Sequence, residues 1–206
     1  MPMLADSNNP LTLLLELGQA FHSTLELDPL LVSVLKTMQS AVRSEGGSIW
    51  LLSEDRQRLT CTQCIGPEEK DLLGEALPAD DLRQFFQANH GQAARLARHE
   101  PVSEAGQYLS EWVRADTRSL AAAPLVARGE LLGLVTMTNK LEAPGFSAAE
   151  AELLHALASH AAIAIQNAQL YEQQKRNVER QQLLDQIGVY FQETLDLDDL
   201  IGRIFT

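Results

Sequence analysis

Apolar residues recur at helical spacing through Leu11, Leu14, Leu15, Gly18, Phe21 and Leu25, which predicts a helix ending near Leu27. Asp28-Pro29 then predicts a second helix, with Asp as N-cap and Pro at the first helical position. Its stripe is Leu31, Val34, Leu35, Met38 and Val42. Gly46-Gly47 is expected to break the chain. The pattern then shortens to strand-like runs, GSIWLLSED and RLTCTQCIG, around an Asp-Arg-Gln corner, and predicts a β-hairpin. DDLRQFFQA reads as a helix, HGQAARLAR as a strand and SEAGQYLSEWVR as a helix. RSLAAAPLVA and LLGLVTMTNK, joined at Arg128-Gly129-Glu130, predict the clearest hairpin. Ala121, Ala122, Ala123 and Gly133 on it leave room for something packed against the sheet.

Ser147 and Glu150 form a predicted capping box. From Ser147 to Ile187 there is no Gly or Pro, so one helix of about 60 Å is expected, at about 1.5 Å per residue. Its first half is Ala-rich. Its second half, around EQQKRNVERQQ, is too polar to be buried within one domain. Leu154, Leu157, Ala161, Ala164, Ala168, Tyr171, Val178 and Leu184 or Asp185 approximate a heptad stripe, with Lys175 and Gln182 as polar interruptions. That predicts a parallel homodimer, with Leu157, Ala161, Ala164, Ala168 and Tyr171 in the seam.

One phrase occurs twice. LGQAFHSTLELDPLL at 17–31 and IGVYFQETLDLDDLI at 187–201 share Gly18/Gly188, Phe21/Phe191, Thr24/Thr194, Leu25/Leu195, Leu27/Leu197, Asp28/Asp198 and Leu30/Leu200, all at an offset of 170. Self-similarity at a domain-sized period predicts a tandem repeat. The expected organisation is a tail over 1–10, a domain over 11–172, a connecting signalling helix over 173–186 and the truncated start of a second copy over 187–206. The chain then reads as an N-terminal fragment of a longer protein.

Charge narrows the partners. Sixteen Lys plus Arg against 28 Asp plus Glu give a net charge of −12. Phosphate backbones and anionic lipids repel such a surface, so neither nucleic acid nor membrane insertion is expected. No run reaches the roughly 18 apolar residues of a membrane span, and MPMLADSNNP lacks a basic segment before an apolar one. A cytoplasmic location is expected, although soluble domains of membrane receptors have the same composition.

Residues 118–172 resemble the end of a GAF domain. A strand leads into Pro-Leu, a turn places Gly before Glu, Gly-x-x-x-x-x-Asn-Lys follows, and Phe-Ser opens a helix ending Ala-Ile-Gln-Asn-Ala-x-Leu-Tyr. Residues 11–66 resemble the family's two leading helices and first hairpin. The resemblance implies an α+β, PAS-like fold: a central antiparallel sheet of five or six strands, helices on both sides and a long C-terminal helix. It also implies a bacterial sensory or regulatory module of a signal-transduction protein. Such a module binds a small molecule and acts through a dimeric C-terminal helix on an effector domain. The alternative is a ligand-free dimerisation scaffold. Asn139, Lys140, Phe146 and Glu150 match part of the signature of cyclic-nucleotide-binding members. Ala151 stands where that signature has its second acid, and the lysine and acid there are implied to form a structural salt bridge. Cyclic nucleotide binding is the lesser alternative.

For the implied pocket, Val135 and Met137 facing the helical layer would turn Leu134, Thr136 and Thr138 to the other side. Thr136 and Thr138 then offer polar contacts in an apolar cavity. Trp50, Phe86, Tyr108, Trp112 and Arg118 are candidates to close around it. Cys61 and Cys64 form a C-x-x-C. Residues three apart in a regular strand face opposite ways, and no second pair completes a zinc site, so two ordinary cysteines are expected. Neither precedes a His, which argues against a bilin. His155 and His160, five apart on a helix, do not share a face, and His90 and His99 read as solvated loop residues. No cofactor, metal site or catalytic constellation is predicted, and the chain is not expected to be an enzyme.

Overall fold

The computed structural model describes residues 26–67, 72–88, 90–97 and 116–204, with side chains through Ile187. The helices expected over 11–27 and 103–114, Tyr108, Trp112, His99 and the side chains of the second repeat lie outside these residues.

Helix α1 is Leu27–Val42. It starts two residues earlier than the Asp28-Pro29 signal predicts. Glu26, extended at φ −87°, is the N-cap and makes no side-chain cap bond. Asp28 sits inside the first turn, where its charge complements the positive end of the helix. Pro29 is tolerated there because a first-turn N–H has no helical partner. Leu30, Leu31, Val34, Leu35, Met38 and Val42 are buried, each worth about 1.5–3 kcal/mol of transfer free energy. The chain breaks at Arg43, left-handed at φ 51°, whose N–H donates to the Gln39 carbonyl.

Gly46 and Gly47 are therefore not the break. They lie within strand β1, Ser44–Leu52, where neighbouring strands occupy the space of a side chain. A Cβ on Gly46 would stand 2.9 Å from the Ile65 carbonyl oxygen, and one on Gly47 2.7 Å from that of Thr136. The remaining strands are β2 (Arg58–Ile65), β3 (Ala76–Pro78), β4 (Ala94–Ala97), β5 (Ser119–Ala127) and β6 (Glu130–Lys140). Helix α2 is Ala79–Ala88. They make one antiparallel six-stranded sheet, ordered β3-β2-β1-β6-β5-β4. Three-residue β3 has too few positions to show a period, and the sequence gives no sign of it.

Helix α1 packs on β1, β2 and β6. The opposite face of the sheet carries α2, whose Leu82 and Phe85 join Trp50, Leu59, Cys61, Cys64, Leu72, Ala94, Leu120, Ala122 and Leu134 in one apolar cluster. This is the α+β architecture the resemblance implies, with helices and a long C-terminal helix around a central antiparallel sheet.

The last helix, α3, is Ala148–Ile204, 57 residues without a break. It passes through Gly188, so the connecting segment and the opening of the second copy of the repeated phrase lie on one helix. The capping box forms: Glu150 N–H donates to Ser147 Oγ at 3.2 Å, and Ser147 N–H to Glu150 Oε2 at 2.9 Å. The chain divides into two compact units, Met1–Asn167 and Ala168–Thr206. Among the described residues no helix is long and apolar enough to cross a membrane.

Candidate functional site

The face of the sheet opposite α1 holds a short polar line in apolar surroundings. Ser48 on β1 pairs across the ladder with Thr136 on β6, and their hydroxyl oxygens are 2.6 Å apart. Two residues along β1, the Trp50 indole Nε1–H donates to Ser48 Oγ at 2.7 Å. All three residues are buried, at 2%, 4% and 4% exposure for Ser48, Thr136 and Trp50. An unpartnered buried hydroxyl costs about 1–3 kcal/mol, so the line is stable because its members satisfy one another. Thr138 follows on the same face and is half-buried.

Other ligand candidates sit elsewhere. Arg118 is exposed, and its guanidinium pairs with Glu45 Oε2 at 2.9 Å, so it does not close over the face. Phe86 is half-buried, beside Gly91. Phe85 is the α2 aromatic that reaches the cluster. The buried positions Ala79, Leu82 and Phe85 run at intervals of three, a helical stripe legible in the sequence that selects Phe85 over its neighbour. The room expected around Gly133 is already filled. A Cβ there would overlap the carbonyl of Trp50, so the glycine admits β1 backbone, not a ligand. Ala121, Ala122 and Ala123 are likewise fully packed. Ser48 was missed because only the β1–β6 register brings it to Thr136.

The Asn-Lys-Phe signature builds a joint. Asn139 is buried and left-handed at φ 57°, a conformation asparagine tolerates better than most residues. Its Oδ1 accepts the Arg118 N–H at 2.7 Å. Lys140 Nζ lies 2.7 Å from Glu150 Oε1 and donates to the Val42 carbonyl at 2.8 Å. It thus ties the end of α1 to the first turn of α3. Burial alone would raise the Glu150 pKa, but hydrogen bonds from Lys140 and Ser147 outweigh it and hold the carboxyl below its usual range. Phe146 is buried at 2% exposure, and its carbonyl accepts Arg95 Nη1 at 3.1 Å. None of these four side chains belongs to the Trp50 cluster.

The two cysteines overturn an expectation. β2 carries a bulge: Ile49 lies opposite Gln63 and Trp50 opposite Cys61, so Thr62 is an extra residue. The alternation therefore slips by one, and Leu59, Cys61 and Cys64 all face the Trp50 cluster. A hydrogen bond to Cys64, and then burial, push the Cys61 thiol well above the ordinary thiol range. A bulge of this kind needs no glycine, which left no trace of it in the sequence.

A cavity of about 300 Å³ lies at another place, between β4 and the start of α3, lined by Gln92, Ala93, Arg95, Ala148, Ala151, Glu152 and His155. None of the ligand candidates among the described residues lines it. His155 Nδ1 is buried there and has no hydrogen-bond partner among the described residues. His160 is exposed, as is His90. Among the described residues no three His, Cys, Asp or Glu side chains group as metal ligands.

Four of the five predicted seam residues are covered by their own chain: Leu157, Ala161, Ala164 and Ala168 are 0%, 0%, 5% and 2% exposed. Only Tyr171, at 44%, is open. The Ala-rich stripe serves the chain's own core, because small side chains let a helix approach its neighbour closely. Among the described side chains, the large exposed apolar positions of α3 are instead Ile163, Leu170, Tyr171, Val178, Leu183, Leu184 and Ile187.

Comparison with known proteins agrees with this architecture. The family model of the GAF domain matches residues 26–165. A curated relative, the dual 3',5'-cyclic-AMP and -GMP phosphodiesterase 11 of Drosophila melanogaster, is 24% identical over 217 aligned residues, covering 94% of this chain. The chain spans 14% of that relative's length. Among solved structures, the GAF domain of a phosphoenolpyruvate-protein phosphotransferase from Coxiella burnetii matches with a TM-score of 0.63 at 19% identity, covering 82% of this chain and 99% of that one. The phycocyanobilin-bound GAF domain of a cyanobacterial phytochrome matches with a TM-score of 0.61 at 18% identity, covering 79% and 97%.

Proposed function

The chain belongs to the GAF domain family, and on that premise we propose that it is a sensory module of a larger signalling protein. It acts by pairing α3 with the same helix of a second copy. The observation that carries this reading is the distribution of exposed apolar side chains. Of nine large ones among the described residues, seven lie on α3, on a helix whose middle stretch, EQQKRNVERQQ at 172–182, is polar apart from Val178. Ile163 and Leu170 are seven residues apart, Leu184 is fourteen beyond Leu170, and Tyr171 and Val178 are again seven apart. The two sets occupy adjacent positions of a seven-residue repeat, the period at which a partner helix would meet them again and again.

The small molecule is read to the sheet face of Trp50, Ser48 and Thr136, where a few polar groups stand in an apolar setting. Its binding shifts helix pairing by no more than its differential affinity for the two paired states. The cyclic-nucleotide chemistry in the name of the fly relative is not carried over, since Asn139, Lys140, Phe146 and Glu150 are engaged in the joint between α1, β6 and α3. The second reading, a ligand-free dimerisation scaffold, is favoured by the packing of Leu82, Phe85 and Leu134 against that same face.

Sedimentation tests the pairing. The parent chain is expected to run as a dimer at micromolar concentration, and the Val178→Glu, Leu184→Glu variant as a folded monomer. A variant that stays dimeric refutes the seam. Native mass spectrometry of protein taken from cell extract separates sensor from scaffold. A retained small molecule that Thr136→Val releases supports the sensor, and a bare chain that no compound stabilises supports the scaffold.

A further inference from the structure

The chain has only two cysteines, and the β2 bulge places them side by side. Cys61 lies opposite Trp50, and Cys64 opposite Ser48. Those partners are two residues apart on β1. Three steps of β2 are thus compressed onto a span of about 6.6 Å, two residues at about 3.3 Å each. Cα atoms joined by a disulfide are usually about 4.4–6.8 Å apart, so the pair lies at the upper end of the bridgeable range. Both side chains are 1% exposed and face the same cluster. Neither is in a disulfide.

We propose that Cys61 and Cys64 form a reversible disulfide, making the β2 bulge a redox-responsive modification site beside Trp50. The oxidant is a hydroperoxide, ROOH. The Cys64 thiol loses its proton, and its sulfur attacks the terminal peroxide oxygen. The O–O bond breaks, ROH leaves with a proton, and Cys64 carries S–OH. The Cys61 thiol then loses its proton, and its sulfur displaces the hydroxyl from Cys64 as water. One S–S bond has formed, the two thiols have lost two electrons, and the hydroperoxide has been reduced to ROH and water.

Cys61 is the resolving thiol because its S–H donates to the Gln63 carbonyl at 3.6 Å, which holds its proton in place. The backbone around the bulge has room to tighten. β3 pairs only with Arg58, Leu59 and Thr60, and the loop before it holds Cys61 through Gly74 N–H and the Glu75 carbonyl. Beyond Cys61 no strand among the described residues covers that edge of β2. A bridge near the upper limit of span is strained, and strained disulfides are the readily reduced, regulatory ones. Closing it draws Cys64 toward Cys61 under the Trp50–Ser48–Thr136 line. Trp50 therefore sits where it reports the bond, whether or not that face holds a ligand.

The test uses the full chain with Trp112→Phe, which leaves Trp50 as the one tryptophan. The native protein is treated with hydrogen peroxide, quenched, unfolded and alkylated with iodoacetamide. The expected product is monomeric under denaturing, non-reducing conditions, lighter by two hydrogens and without an alkylatable thiol. Its Trp50 emission is quenched, and dithiothreitol restores mass, thiols and emission together. Cys61→Ser is expected to stop at a sulfenic acid on Cys64 that dimedone traps, with no S–S product. The proposal is overturned if the treated native chain keeps both thiols while the urea-unfolded chain loses them. Oxygen-bearing Cys61 or Cys64 in the parent, located by peptide mapping apart from methionine sulfoxide, or bridges between chains, overturn it equally.

Discussion

Lys140→Met removes a charge while keeping most of the stem that packs at the α1–β6–α3 joint. The ammonium makes two bonds, 2.7 Å to Glu150 Oε1 and 2.8 Å to the Val42 carbonyl, with side chains 9% and 26% exposed for Lys140 and Glu150. A hydrogen bond to a charged group contributes about 1.5–3 kcal/mol, and burying the ammonium cancels part of the sum. The expected net loss is about 2–3 kcal/mol. Glu150→Gln keeps a hydrogen-bonding side chain at the cap and is expected to cost about 1 kcal/mol. The double variant should return a coupling energy of about 1–2 kcal/mol, the mark of groups in direct contact. Urea unfolding followed by far-ultraviolet circular dichroism measures all four proteins. The pH dependence is a second reading of the same pair. Glu150 is held below the usual 4.5 of a glutamate in the folded chain, so its unfolded pKa is the higher one. Its stabilisation is complete above about that value and is lost as pH falls through the lowered folded value. In Lys140→Met this acid loss should shrink. A Lys140→Met protein within about 0.5 kcal/mol of the parent, the range of an inert surface change, would refute the joint. So would parallel acid profiles of the two proteins.

Two further substitutions test the core. Phe85→Ala is expected to cost about 3–5 kcal/mol by urea unfolding, and Phe86→Ala about 1 kcal/mol, because only Phe85 reaches the sheet; equal losses would contradict the placement of α2. Gly133→Ala forces a methyl into the Trp50 carbonyl and should cost about 3 kcal/mol, the upper end of overpacking penalties. A neutral result would mean that the β1–β6 pair is looser than described.

Local pattern was enough for much of this protein. The 3.6-residue spacing of Leu31, Val34, Leu35, Met38 and Val42 settles a helix and its buried side. The short apolar run from Leu131 to Met137, bounded by the turn at Arg128-Gly129, settles a strand, and Ser147 with Glu150 settles where α3 begins. These features depend on residues within a turn or a strand of one another, so their causes are written contiguously. The Asn-Lys-Phe motif is legible only through its resemblance to a family signature, because the joint it builds brings together α1, β6 and α3.

Tertiary structure decided what depends on register and on what already occupies a space. Gly133 and Gly46 read as gaps or breaks along the chain, yet each is the place where another strand's backbone passes. Ala161 and Ala164 read as a dimer seam because heptad spacing cannot distinguish a helix face covered by its own chain from one covered by a second copy. Cys61 and Cys64 read as pointing apart until pairing with β1 inserted Thr62 as an extra residue. The pattern of a strand specifies its period but not the partner it pairs with. A single inserted residue reverses every face that follows it, and only the assembled sheet determines where that insertion falls.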